Sequence, residues 1–177
     1  LLEHKKYELK FLEDNTPQLI NTLNKIIPQV KETTNVEIKY YKGITNVMSI
    51  YNESANAKDF RAYVNCEKLA HFFPGNVDKF LAAHAKRKDM IVREIMENSE
   101  ASREYARRMP KKRYFCKIVP ESFNLSLIDY MMFDGKVAII NLKENASGIM
   151  ITNDDYYENA KEIFDLVWSI LPDYKFE

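Results

Sequence analysis

From Leu1 to about Val30 the apolar residues recur at helical steps: Leu9, Leu12, Leu19, Leu23, Ile26 and Val30 share one stripe, with polar Thr16 at a seam position. Thr16-Pro17 interrupts the segment, since threonine caps a helix and proline is tolerated at the first helical position. The pattern predicts two helical pieces, or one kinked helix, over residues 1–32. A stripe of this kind has to be buried, either on the chain's own body or against a second copy of the arm.

After Pro28 the period changes to two. Val36, Ile38 and Tyr40 alternate with Glu37, Lys39 and Tyr41, which predicts a half-buried strand. Gly43 permits a turn, and Ile44, Val47, Met48, Tyr51 and Ala55 return to helical spacing. Phe60 to Val64 predicts a second strand, and Pro74-Gly75-Asn76 opens a helix carrying Val77, Phe80, Leu81 and His84. Met90 to Ile95 predicts a third strand, followed by a short polar helix from Ser99 to Arg108 in which Glu104 is spaced to pair with Arg107 and Arg108. Strand and helix alternating in this way imply right-handed crossovers and a largely parallel sheet covered on both faces.

The last third reads differently. Tyr114–Val119, Ser126–Phe133, Lys136–Asn141 and Gly148–Thr152 form consecutive strands, and Asp134-Gly135 between two of them signals a tight hairpin. Asn153-Asp154 then caps a terminal amphipathic helix bearing Tyr156, Ala160, Ile163, Phe164, Val167 and Leu171, with Trp168 at its edge. The expected organisation is a helical arm over 1–32 and one α/β domain over 33–177.

Composition narrows the classes. The 177 residues carry 26 Lys+Arg and 26 Asp+Glu, so the formal charge is zero and a uniformly basic nucleic-acid-binding body is excluded. Cys66 and Cys116 are too few and too distant for a disulfide framework and read as small core residues. No apolar run approaches a membrane span and no secretory leader is evident, so a cytoplasmic protein without membrane contact is expected. The chain starts at Leu1 without a methionine, and an upstream segment is expected.

Candidate chemistry is sparse. His4, His71 and His84 have no partner at ligand spacing, and His84 shares a helix face with apolar residues, so no metal and no cofactor are expected. The four glycines form no phosphate-cradling loop. The carboxylates read as solvated faces, none in an apolar setting that would raise its pKa. Arg103, Arg107, Arg108, Lys111, Lys112 and Arg113 form the densest cationic run; it fits a hydrated helix C-terminus first and a phosphate contact second.

The hairpin from Leu125 to Asn141 carries the most information. An apolar strand, Asp134-Gly135 and a second apolar strand resemble the phospholipase D-like fold around its H-x-K-x-x-x-x-D motif. In that family the histidine attacks phosphorus and the lysine stabilises phosphoryl charge. Laid on this chain, the motif places Leu127 at the histidine, Asp129 at the lysine and Asp134 at the aspartate. A hydrocarbon cannot be the nucleophile and a carboxylate repels a phosphodiester, so the resemblance implies a scaffold stripped of catalysis.

A catalytically empty phospholipase D-like domain behind a helical connector resembles the TrmB-type transcriptional regulators. The order of segments carries the resemblance: Thr16-Pro17-Gln18-Leu19, Tyr40-Tyr41-Lys42-Gly43-Ile44, Val92-Arg93-Glu94-Ile95, Met109-Pro110, Asp134-Gly135-Lys136-Val137-Ala138, and Gly148-Ile149-Met150-Ile151 running into Phe164 and Trp168. It implies a non-enzymatic regulatory and dimerisation domain, joined through Leu9–Val30 to a second copy. It also implies DNA contact through an upstream winged-helix domain that is not in this chain. The β-rich region that completes sugar binding in better-known members has no counterpart, so sugar binding is not expected. An effector pocket, if the domain has one, belongs at the C-terminal ends of the parallel strands, near Asn65, Cys66, Glu97, Asn98 and Asp129. Two other readings stand beside this one: a protein-interaction module without a small ligand, and a phosphodiesterase or nuclease that retains activity.

Overall fold

Hydrogen bonding joins the strands into one mixed sheet in the order β1-β7-β6-β5-β2-β3-β4. The computed structural model describes residues 36–123, 125, 128–141 and 143–174, all within one unit, Val36–Glu177. The expected arm over 1–32, with Leu9, Leu12, Leu19, Leu23, Ile26 and Val30, lies outside the described residues, as does Leu127.

The elements are β1 (Glu37–Lys42), α1 (Ile44–Ser54), β2 (Asp59–Val64), α2 (Cys66–Phe72), α3 (Asn76–Lys86), β3 (Ile91–Met96), α4 (Glu100–Arg108) and β4 (Tyr114–Ile118). They continue with β5 (Ile128–Phe133), β6 (Lys136–Asn141), β7 (Ser147–Thr152) and α5 (Asp154–Ile170). The sheet is mixed, and its parallel part is smaller than the sequence implied. Only β2, β3 and β4 run parallel; β5 returns antiparallel against β2, and β6, β7 and β1 continue antiparallel. The Asp134-Gly135 turn sets the antiparallel pairing of β5 with β6. Both residues adopt positive φ, 43° and 78°, which is the two-residue turn whose twist suits a hairpin. It locks β5 against β6 with Phe133 opposite Lys136 and leaves no room for a crossover.

Helices α1 to α4 share one face of the sheet, over Phe60, Ala62, Val64, Val92, Met131, Ala138 and Ile140. Helix α5 covers the other face, where Tyr157, Ala160 and Phe164 meet Ile95, Met132 and Val137. Side chains alternate between the two cores along every inner strand, because successive residues of a strand point to opposite faces. The half-buried β1 of the sequence reading is instead mostly exposed, with Ile38 65% and Tyr40 67% accessible. It is an edge strand paired only with β7, and among the described residues no helix covers that side of it. Helix α2 was not anticipated: Asn65 caps it by accepting a hydrogen bond from Lys68 N at 2.9 Å.

The sequence places Lys117 on an apolar strand, and the fold explains how a buried ammonium is tolerated there. Its Nζ donates to the carbonyls of Trp168 at 2.8 Å and Leu171 at 2.6 Å, and pairs with Asp173 at 3.2 Å. These are unpaired carbonyls at the end of α5, where a cation also meets the negative end of the helix dipole. Trp168 stacks on Phe164 with centroids 5.6 Å apart and lies under the same ammonium. The substitution Lys117→Met keeps the stem and deletes these bonds. It is expected to destabilise the protein by about 2 kcal/mol or more in urea titration, and an unchanged midpoint would refute the capping role.

Candidate functional site

The motif strand brings Asp129 into the interior rather than to solvent. It is the second residue of β5, on the side of the sheet covered by α1 to α4, and only 2% exposed. Tyr51 on α1 donates its hydroxyl to Asp129 Oδ2 at 2.6 Å, and the backbone N–H of Asn65 donates to Oδ1 at 3.3 Å. Burial pushes the Asp129 carboxyl up to about 7, against the opposing pull of those two hydrogen bonds.

A second carboxyl lies on the same face. Glu94 occupies the middle of β3 between Val92 and Met96, which point the same way. Its oxygens accept hydrogen bonds from Tyr105 at 3.2 Å and Tyr114 at 2.9 Å. Desolvation raises it to about 8, more than the two tyrosines lower it. The reading that no carboxylate sits in an apolar setting is therefore corrected for both residues. Glu94 was detectable: in Val92-Arg93-Glu94-Ile95-Met96 it falls on the parity of the buried positions. Asp129 could not be read from parity alone, because Tyr51 and Asn65 reach it from distant parts of the chain.

Glu94, Asp129, Tyr51 and Tyr105 line a cavity closed by Phe60, Val64, Leu69, Phe80 and Met131. Its volume of about 20 Å³ holds a water or two and no larger ligand. The cavity is acidic and phenolic, the opposite of a phosphate site.

The other residues predicted for the pocket lie close by in the chain but are occupied with local structure. Glu97 accepts hydrogen bonds from Cys66 N at 2.9 Å, Glu67 N at 3.0 Å and Ser99 Oγ at 2.8 Å, so its carboxylate takes the free N–H groups that open α2. Asn65 caps α2 and ties its amide to Leu125 O at 2.9 Å. Asn98 accepts from Arg103 at 2.6 Å. The Cys66 sulfur packs 3.6 Å from Met96 Sδ, and burial raises its thiol well above the ordinary range, so it is not a nucleophile. Of the predicted group, only Asp129 reaches the cavity.

Among the described residues no histidine converges on this region. His71 is exposed at the end of α2, against Phe72, and His84 is fully buried beneath Arg113. Among the described residues no group of three or more His, Cys, Asp or Glu could hold a metal. The cationic run is also wired differently from its sequence reading. Glu100, not Glu104, pairs with Arg103 and Arg107, and Arg108 reaches Asp78 on α3. Asp134 shapes the hairpin turn and accepts from Lys58 N at 3.3 Å.

The two raised carboxyls set a pH dependence. Each binds its proton more tightly folded than unfolded, so its contribution to stability is fully present below about pH 4 to 4.5 and is lost as pH rises toward 7 to 8. His84 acts in the opposite sense, because burial lowers its pKa below 6.5 and stability falls as acid protonates the unfolded chain. Urea midpoints are expected to decline between pH 6 and 9, and Glu94→Gln should flatten that decline. An equally steep decline in the variant would show that Glu94 is not its source.

No family model matches the chain, and no curated protein matches it in sequence. Solved structures do match it in fold. TrmBL2, described as an archaeal chromatin protein with a novel mode of DNA binding, superposes with a TM-score of 0.54 at 11% identity, covering 98% of this chain and 68% of that one. The phospholipase D family member Nuc from Salmonella typhimurium gives 0.61 at 13% identity over 80% of this chain and 99% of its own. NucT from Helicobacter pylori gives 0.59 at 10% identity over 79% and 100%. The chain therefore has the phospholipase D-like mixed α/β fold, shared in outline by a DNA-binding chromatin protein and by phospholipase D family members.

Proposed function

We propose that this chain is the non-catalytic regulatory and dimerisation domain of a TrmB-like DNA-binding regulator, built on a phospholipase D-like scaffold. The observation that carries it is Asp129: where the motif needs an exposed cation for phosphate, this chain has a carboxyl that is 2% exposed and fixed by Tyr51 and Asn65. The fold shared with TrmBL2 supports the choice of class, and that protein's DNA binding supports a role near DNA. The division into an arm over 1–32 and a body over 33–177 belongs to the same proposal. Two copies joined through the arm would set the separation of two attached DNA-binding heads, and an operator with two half-sites reads such a separation. A small effector would act only through unequal affinity for two dimer geometries.

Phosphodiesterase assays with the full chain and an activated diester are expected to show no turnover. Turnover that survives purification and is lost in His71→Ala or His84→Ala would overturn the non-catalytic reading. Light scattering is expected to give a dimer that Leu19→Glu with Leu23→Glu dissociates. A wild-type monomer would remove the geometric mechanism.

A further inference from the structure

We propose that the end of the sheet opposite Asp129 docks the phosphate backbone of duplex nucleic acid. Three connections feed the parallel strands β2, β3 and β4 at their N-terminal ends, and each carries cations there. Lys58 leads into β2. Lys86 closes α3, with Arg87 and Lys88 behind it, and leads into β3. Lys111, Lys112 and Arg113 lead into β4. In sequence these groups are separated by up to half a hundred residues; the parallel ladder collects them at one edge.

The edge is held rigidly. Ile91 N donates to Lys58 O at 2.7 Å, and Val92 N donates to Arg113 O at 2.9 Å. The Arg113 guanidinium donates to Met90 O at 3.1 Å, and Arg87 donates to the carbonyl of Asn56. Arg113 holds φ at 67°, which a non-glycine residue adopts only where its surroundings enforce it. Neighbouring strands lie about 4.8 Å apart, so the three connections fall within roughly 10 Å. A duplex presents one charge per about 1.7 Å of axis, so about six phosphate charges pass over that span.

Most carboxylates of this end are paired with cations other than the exposed lysines, Glu53 with Lys136 among them. Asp59 is paired with Arg61 and Arg93, Asp89 with Arg87, and Asp78 with Arg108. Asp134 accepts from the backbone of Lys58 and keeps its charge near Arg87, and Asp89 also lies within electrostatic reach of Lys58. Lys58, Lys86, Lys88 and Lys112 are exposed and make no ion pair among the described residues. Glu104 is exposed on α4, and Asp154 and Asp155 begin α5 beside the hairpin turn, so the surface is bounded on the β6–β7 side. Because the whole chain is formally neutral, this concentration is local. Hydrated lysines are depleted from the cores of protein interfaces but neutralise phosphates well, which favours nucleic acid over an acidic protein surface. Docking here needs no attached winged helix, so its failure would leave the regulatory reading intact.

The test is fluorescence anisotropy with the full chain and a mixed-sequence duplex of about 24 base pairs, between about 50 and 200 mM salt. Four lysines engaging phosphates predict a log–log salt slope of about −3 to −4. Reversing Lys58, Lys86, Lys88 and Lys112 to Glu should weaken binding more than about tenfold at the lower salt and abolish most of the slope. The corresponding four Gln substitutions should do part of both, and serve if the reversed protein does not fold. Lys42→Glu with Lys143→Glu, at the opposite end of the sheet, should change affinity less than about twofold. Unchanged binding in the Gln or Glu set would overturn the proposal, as would equal loss in the control pair. Equal affinity for polyglutamate, or binding to phosphatidylserine vesicles but not to duplex, would overturn it in favour of another polyanion.

Discussion

Two carboxyl groups withdrawn from water constrain most of this structure. Glu94 and Asp129 sit on the same side of adjacent parts of the sheet, and neither is tolerable there without partners, because an unpaired buried carboxylate is costly. Tyr105 on α4 and Tyr114 on β4 supply those partners for Glu94, while Tyr51 on α1 and the start of α2 supply them for Asp129. The polar network therefore joins the elements that apolar packing alone would leave free to shift. Burial raises Glu94 to about 8 and Asp129 to about 7, so both hold their protons toward neutral pH and sit in the core as hydrogen-bonded acids.

That electrostatic character separates the two ends of the sheet. Near the C-terminal ends of the parallel strands this chain buries Asp129, and Glu97 occupies the N–H groups that open α2. At the N-terminal ends, lysines from three connections converge on a hydrogen-bonded edge. Among the described residues no lysine or arginine lines the cavity near the first end, whereas the second end gathers several.

The opposite core is simpler. Helix α5 lies across β5, β6 and β7 on Tyr157, Ala160 and Phe164, and its far end is closed by Lys117 from β4. One residue on an edge strand thus fixes the last turn of a helix about fifty positions later. Residues outside this contact, among them Ile163, Leu166 and Ile170, remain largely exposed along the helix.

The sequence by itself determined the kinds of most described elements, the short helix α2 excepted. Period-two runs became strands, three-four spacing became α1, α3 and α5, and Asp134-Gly135 became the hairpin turn, because each of those signals is a local steric or packing requirement. It also carried the expectation that Leu127 and Asp129 stand where the phospholipase D-like motif has histidine and lysine, since residue identity alone suggests that. Only the tertiary structure decided strand direction beyond the parallel trio, the exposure of β1, and the ion partners on α4, where Glu100 and Asp78 displaced the expected Glu104. It also decided that Glu94 and Asp129 are buried and protonation-shifted, and that Lys58, Lys86, Lys88 and Lys112 meet at one edge. The physical reason is common to all of these. Burial, pKa and charge clustering depend on which distant segments come within a few ångströms, and neighbours in the chain do not specify that.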